Sequence, residues 1–175
     1  MKCIVKLILI CSLFFSTQLY AENFKIKLFN KGSYSNILNH YKEQPLLLVL
    51  WSVTCTACLS EMELIHKLHQ QRPELNLIML AVDGPEFHQE MGQIIKQNKL
   101  EEIEHWGFAE DNSPVLRYLI DSRWYGELSR SYFFDSQHNK VGISGVLSEQ
   151  QYNEKITQFY NNKTALCEIQ WVVEF

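Results

Sequence analysis

The sequence predicts an α/β domain in which a mixed central sheet carries helices on both faces. Three observations lead there. Two apolar runs, Leu46 to Trp51 and Leu75 to Val82, are continuous rather than alternating, as in strands buried on both faces. Between them, from Cys55 onward, Leu59, Met62, Leu64, Ile65 and Leu68 recur at spacings of three and four, which is an amphipathic helix. A strand, a helix and a strand with short links form a βαβ unit, so these two strands run parallel. Late in the chain, Arg130 to Phe134 and Lys140 to Ser144 flank a polar turn at 137–139 and form an antiparallel hairpin.

The remaining elements follow in order. Glu22 to Phe29 alternates, with Phe24, Ile26 and Leu28 on one side and Lys25 and Lys27 on the other, a half-buried strand near an edge. Gly32 and Ser33 end it, and Tyr34, Ile37, Leu38 and Tyr41 fit a short helix. The helix that starts at Cys55 stops near Gln71, because Pro73 bars continuation through Arg72. Asp83-Gly84-Pro85 is a turn, Glu86 to Asn98 a helix, and Ile103 to Ala109 a short strand. Ser113 caps a helix whose first turn holds Pro114 and which runs to about Ile120. Ser148 with Gln151 three residues on is a capping box, and that helix extends to about Tyr160. Ile169 to Val173 reads as an extra strand.

The chain has 175 residues, the length of one domain. Lys2 and Lys6 precede an apolar stretch from Leu7 to Phe15, and Ser16 to Gln18 leads to Leu19-Tyr20-Ala21. This has the form of a signal peptide over residues 1–21, with cleavage after Ala21. The alternative is an uncleaved membrane anchor, although a span needs about 20 apolar residues. Losing two lysines takes the formal charge from −4 to −6. A negative balance argues against nucleic acid as a partner and offers no basic patch to a membrane surface. Cys3 and Cys11 leave with the signal, so Cys55, Cys58 and Cys167 remain. Three cysteines do not make a disulfide scaffold, and an odd count leaves one thiol without an internal partner.

Cys55 falls where the first central strand hands over to its helix. The first N–H groups of a helix lack internal partners, and the helix dipole is positive there. A thiolate is stabilised at that point and becomes a usable nucleophile. Cys58, one turn in, is close enough to attack a mixed disulfide on Cys55. The same pair could instead form a static structural disulfide or half of a zinc site. Zinc needs two more ligands. His66 and His69 on the same helix are two to four turns away, and Cys167 adds a ligand only if the tail folds back. Met62 and Met91 read as core.

Trp51-Ser52-Val53-Thr54-Cys55-Thr56-Ala57-Cys58 resembles the thioredoxin-like pattern of an aromatic four residues before a Cys-x-x-Cys. Glu61, three residues past the second cysteine, resembles a mark of the TlpA/ResA-like branch, exported thiol-disulfide oxidoreductases linked to cytochrome c maturation. Gly126 to Asp135 is similar to that branch's Gly-Val-Pro-x-Thr-Phe-x-x-Asp segment, and Gly142 to Gly145 to the glycine-bearing strand after it. The resemblance spans roughly residues 24 to 160. It implies a thioredoxin-like three-layer sandwich over residues 22–175, with no cofactor and no bound metal. It also implies that Cys55 attacks, that Cys58 resolves, and that Glu61 takes up and returns a proton as the pair cycles. Trp51, Thr54, Leu128 and Ser129 are the implied substrate-binding residues. Disulfide-bearing exported proteins are the implied partners, a membrane electron donor the implied source of electrons, and the periplasm the implied location.

Two positions depart from the family pattern. Thr54 stands where the family has tryptophan, which changes the surface that a partner meets. Ser129 stands where the family has a cis-proline facing the cysteines. A cis bond without proline costs about 2.5–4 kcal/mol, so a trans Leu128–Ser129 peptide is expected. In the family, backbone groups beside that proline pair with the substrate chain. Proline's ring also crowds the thiolates, so its absence opens a second possibility, a copper carrier that binds metal through Cys55 and Cys58. A third is a redox-inactive adaptor that only docks partners. Thr56 and Ala57 between the cysteines include no histidine of the kind found in strongly oxidising relatives, which favours a reductase.

Overall fold

A computed structural model describes residues 24–160. The expected signal peptide, Cys167 and the expected strand at 169–173 lie outside the described residues. The strands are β1 (Ile26–Phe29), β2 (Leu46–Trp51), β3 (Leu77–Ala81), β4 (Glu104–Phe108), β5 (Arg130–Phe134) and β6 (Lys140–Ser144). The helices are α1 (Ser33–His40), α2 (Thr56–Gln71), α3 (His88–Gln97), α4 (Pro114–Ile120) and α5 (Glu149–Tyr160), with a short 3₁₀ turn, Pro85–Phe87, before α3.

The strands form one mixed sheet in the order β1-β4-β3-β2-β5-β6. β1, β4, β3 and β2 run parallel, whereas β5 pairs antiparallel with β2 and β6 antiparallel with β5. The βαβ unit and the late hairpin are therefore both as expected. β2 lies inside the sheet, and each of its six residues is at most 2 % exposed. Its alternate side chains feed two separate cores. Leu47, Val49 and Trp51 pack with α2, α3 and α5, through Met62, Ile65, Met91, Ile95 and Ile156. Leu46, Leu48 and Leu50 pack with α1 and α4, through Ile37, Leu116 and Ile120. Helices thus cover both faces, and the continuous apolar runs are explained. Burying each such side chain contributes about 1.5–3 kcal/mol, so β2 is the anchor of the whole sandwich.

Local signals also hold. Arg72 is the C-cap of α2, directly before Pro73. The Ser113 hydroxyl accepts the Leu116 N–H, with Pro114 in the first turn. At the head of α5, the Ser148 N–H donates to Gln151 Oε1 (2.9 Å) and the Gln151 N–H to Ser148 Oγ (3.3 Å), a reciprocal capping box.

β1 is an edge strand, as expected, but its inward side differs. Phe24 and Ile26 pack against the α3 face, while Leu28 on the same side is 50 % exposed. Phe29, on the opposite side, is fully buried and stacks on Phe108 at 5.6 Å. The cause is α1, which folds back over the opposite face and covers the end of the strand.

Candidate active site

β2 and β3 are parallel neighbours, so their C-terminal ends meet. Beyond β2 the chain turns through Ser52–Cys55, closed by the Cys55 N–H donating to the Ser52 carbonyl at 3.1 Å. Beyond β3 stands Asp83. Its carboxylate accepts the Ser52 hydroxyl at 2.7 Å and the Val53 N–H at 3.0 Å. Asp83 is buried, and burial pushes its carboxyl above the ordinary value; the bonds from Ser52 and Val53 pull the other way. One carboxylate on the neighbouring strand thus holds the turn that presents Cys55.

Cys55 is the N-cap of α2, and its Sγ accepts the Cys58 N–H at 3.1 Å. The two cysteines are joined in a disulfide, with their Cα atoms 5.2 Å apart. The pair is asymmetric: Cys55 is partly exposed, whereas Cys58 is 2 % exposed. Of the two sulfurs, that of Cys55 is the one open to a molecule from solution. A cavity of about 320 Å³ opens beside Cys55, bounded also by Thr54, Asp83, Phe87, Arg117 and Leu128.

Glu61 lies three residues past Cys58, on the same side of α2. It is 2 % exposed, so it is not a solvated surface residue. Its Oε1 accepts the Leu147 N–H at 2.7 Å and the Tyr152 hydroxyl at 3.4 Å. Its Oε2 is buried and has no hydrogen-bond partner among the described residues. Burial pushes the Tyr152 phenol well above its ordinary value, and the neighbouring Glu61 carboxylate adds to the rise.

The four residues expected to touch a substrate divide. Thr54 and Leu128 line the cavity with Cys55. Trp51 and Ser129 are 1 % exposed and do not line it. Trp51 belongs to the core on the α2 face. The Leu128–Ser129 peptide is cis, which corrects the expectation of a trans bond at a non-proline position. It leads directly into β5, and the Ser129 carbonyl accepts the Gly145 N–H at 2.8 Å. Leu128 stands ahead of the first ladder pair of β5, Arg130 with Ser144, so its backbone lies outside the sheet.

Asp83, Tyr152 and Ser131 were not singled out from the sequence. For Asp83 a signal was present: a carboxylate ends an apolar parallel strand, and sites in such sheets gather beyond the strand C-termini. Nothing local marks Tyr152 or Ser131. Among the described residues no group of three His, Cys, Asp or Glu side chains could hold a metal ion.

No protein-family model matches the chain, and no curated protein matches it. Solved structures do. The chain is similar to MTB DsbF at 16 % identity, covering 69 % of this chain and 84 % of that one, with a TM-score of 0.57. A secreted Mycobacterium tuberculosis disulfide oxidoreductase homologous to E. coli DsbE matches at 10 % identity, covering 69 % and 85 %, with a TM-score of 0.56. A thioredoxin-family thiol:disulfide interchange protein from Chlorobium tepidum matches at 14 % identity, covering 70 % and 84 %, also with a TM-score of 0.56. The second of these is a disulfide oxidoreductase and the third a thiol:disulfide interchange protein, and the chain described here has their thioredoxin fold with a disulfide-bonded Cys-x-x-Cys pair.

Proposed function

We propose that this protein is an exported thiol-disulfide oxidoreductase that reduces disulfides of other exported proteins, apocytochromes c among the candidate substrates. The observation that carries the reading is the asymmetry of the Cys55–Cys58 pair at the head of α2, with a reachable sulfur in front and a buried one behind. Export is supported by the form of residues 1–21 and by the secreted neighbour. Among the described residues no helix is long and apolar enough to cross a membrane.

In this reading the Cys55 thiolate attacks a substrate disulfide. The substrate S–S bond breaks, a mixed disulfide forms, and one substrate thiolate departs. Cys58 then gives up its proton to Glu61, and its electron pair forms the bond to the Cys55 sulfur. The bond from Cys55 to the substrate breaks and the second substrate thiolate leaves. Two electrons have passed to the substrate, and the Cys55–Cys58 disulfide has formed. A two-electron donor at the membrane restores the dithiol. In this reading the substrate chain crosses the cavity that Leu128 and Thr54 line beside Cys55. For the copper-carrier alternative, no His, Asp, Glu or further Cys joins the pair as a third ligand among the described residues.

The test is the redox equilibrium of the pair against defined thiol buffers, in a Cys167→Ser background. A two-electron couple near −270 mV, about that of thioredoxin, or lower, is expected. A value near about −120 mV would overturn the direction and make the protein an oxidant. Cys58→Ser is expected to trap mixed disulfides through Cys55, and Cys55→Ser to trap none. No couple in the wild type would sink the oxidoreductase reading.

A further inference from the structure

The hydrogen bonds at Glu61 continue past the carboxylate. Tyr152 Oη lies 3.4 Å from Glu61 Oε1 and 2.9 Å from Ser131 Oγ. All three side chains are buried, at 2 %, 0 % and 1 % exposure. The two hydroxyls are held by unrelated elements. Tyr152 sits on α5 with its ring 5.9 Å from that of Phe133, and Ser131 is fixed in β5 between Val49 and Ile143.

A proton acceptor that cycles has to be tolerated in two states. The Leu147 N–H can only donate, so it cannot accept a bond from the protonated acid. A hydroxyl can donate or accept. With the carboxylate charged, Ser131 donates to Tyr152 and Tyr152 donates to Glu61. With the carboxyl protonated on Oε1, the acid donates to Tyr152 and Tyr152 donates to Ser131. The chain reverses by rotation of two O–H bonds, and no heavy atom moves. Half-satisfied buried polar groups are costly, so a partner that serves both states is what a buried cycling acid needs.

We propose that Tyr152, backed by Ser131, is a positioning residue that lets buried Glu61 hold and release the Cys58 proton, and so sets the pH dependence of the Cys55–Cys58 couple. The inference rests on redox cycling at that pair. When Cys58 attacks the mixed disulfide, its S–H bond breaks and the proton passes to Glu61. When the membrane donor reduces the disulfide again, Glu61 returns that proton to the Cys58 sulfur. Of the ionisable groups on the elements packed around Glu61, Cys58 and Tyr152 are buried on its side. Lys67 of α2 and Glu149 of α5 are at the surface and pair with each other at 2.6 Å.

The test is the reduction potential of the pair measured across pH in the wild type, Tyr152→Phe, Ser131→Ala and Glu61→Gln. A linked acid appears as a break in the slope of potential against pH. Glu61→Gln is expected to abolish the break. Tyr152→Phe removes a donor to the charged form and is expected to move the break to higher pH by about one unit, a tenfold change in proton affinity. Ser131→Ala is expected to shift it the same way by less, and it carries the test if Tyr152→Phe does not fold. Looser packing alone would not move the break. A break that stays in place in both Tyr152→Phe and Ser131→Ala, or that survives Glu61→Gln, overturns the inference while the oxidoreductase reading stands. A wild type without any couple overturns both.

Discussion

Asp83→Ala tests whether the cysteine-bearing turn is held from the neighbouring strand. The carboxylate accepts the Ser52 hydroxyl at 2.7 Å and the Val53 N–H at 3.0 Å, and alanine removes both bonds. Val53 is 5 % exposed, so its N–H is left buried without an acceptor, at a cost of about 1–3 kcal/mol. The Ser52 hydroxyl keeps Thr54 Oγ1 at 3.1 Å, so its share is about 1 kcal/mol. The expected loss is therefore about 2–4 kcal/mol, read as a lower urea midpoint with an unchanged m value. At about 2–4 °C per kcal/mol for a domain of this size, Tm falls by roughly 5–15 °C. A loss well below about 1 kcal/mol would refute the reasoning. Water from the adjacent cavity would then be serving Val53, and Asp83 would not be what holds the turn.

The same residue makes a pH prediction. Burial raises the folded-state pKa of Asp83 above its ordinary 3.8. The folded chain then binds that proton more tightly than the unfolded chain does. The stability it contributes is complete at low pH, below the unfolded value, and is lost as pH rises through the folded value. Asp83→Asn keeps an acceptor for the Val53 N–H and turns the Ser52 bond round, its amide now donating to the hydroxyl oxygen, but it cannot ionise. Relative to wild type, it is expected to gain stability as pH rises above 3.8, by chemical denaturation at a series of pH values. A constant difference across that window would show that Asp83 does not titrate as the packing requires.

Three further predictions concern the surroundings. A Cβ at Gly142 would come within 2.5 Å of both Arg130 Nη2 and the ring of the fully buried Tyr132, so Gly142→Ala should cost about 1–3 kcal/mol in urea unfolding. Ser148→Ala opens the capping box of α5 and should cost about 1 kcal/mol, with the far-ultraviolet helix signal retained. Glu61→Ala leaves the Leu147 N–H without its acceptor and should lower the urea midpoint, whereas Glu61→Gln keeps an acceptor oxygen and should unfold close to wild type while losing the proton-linked redox behaviour.

What was legible in the sequence was what short-range physics decides. The six residues of β2 read as doubly buried because both faces of that strand meet apolar side chains. Pro73 ended α2, Ser113 and Pro114 opened α4, and Ser148 with Gln151 opened α5, each by a bond or a steric bar within four residues. Cys55 at a strand-to-helix junction followed from the same local pattern. What was not legible depends on distant partners. A glutamate at position 61 looks like part of a charged helix face until the Leu147 backbone, 86 residues on, closes over it. Leu28 looks inward-facing until α1 is seen to cover the other side of β1. Asp83 looked like part of a turn, because its partners, Ser52 and Val53, are 31 and 30 residues away.

Asp83 and Glu61 are both buried carboxylates, and each is tied to a loop backbone by one N–H: Asp83 to Val53 and Glu61 to Leu147. Their partners separate their roles. Asp83 accepts the Val53 N–H and the hydroxyl of Ser52, whose own oxygen takes the Thr54 N–H at 3.3 Å, so both donors belong to the turn it holds. Glu61 accepts one fixed donor and one reversible hydroxyl, and has a second oxygen without a partner. A carboxylate matched on all sides is a strut. One whose hydroxyl partner can turn from donor to acceptor, a single helical turn behind the buried sulfur, keeps that partner when it takes a proton. The two acids are distinguished by the donors around them rather than by depth of burial, and it is Glu61 that has the means to join the chemistry.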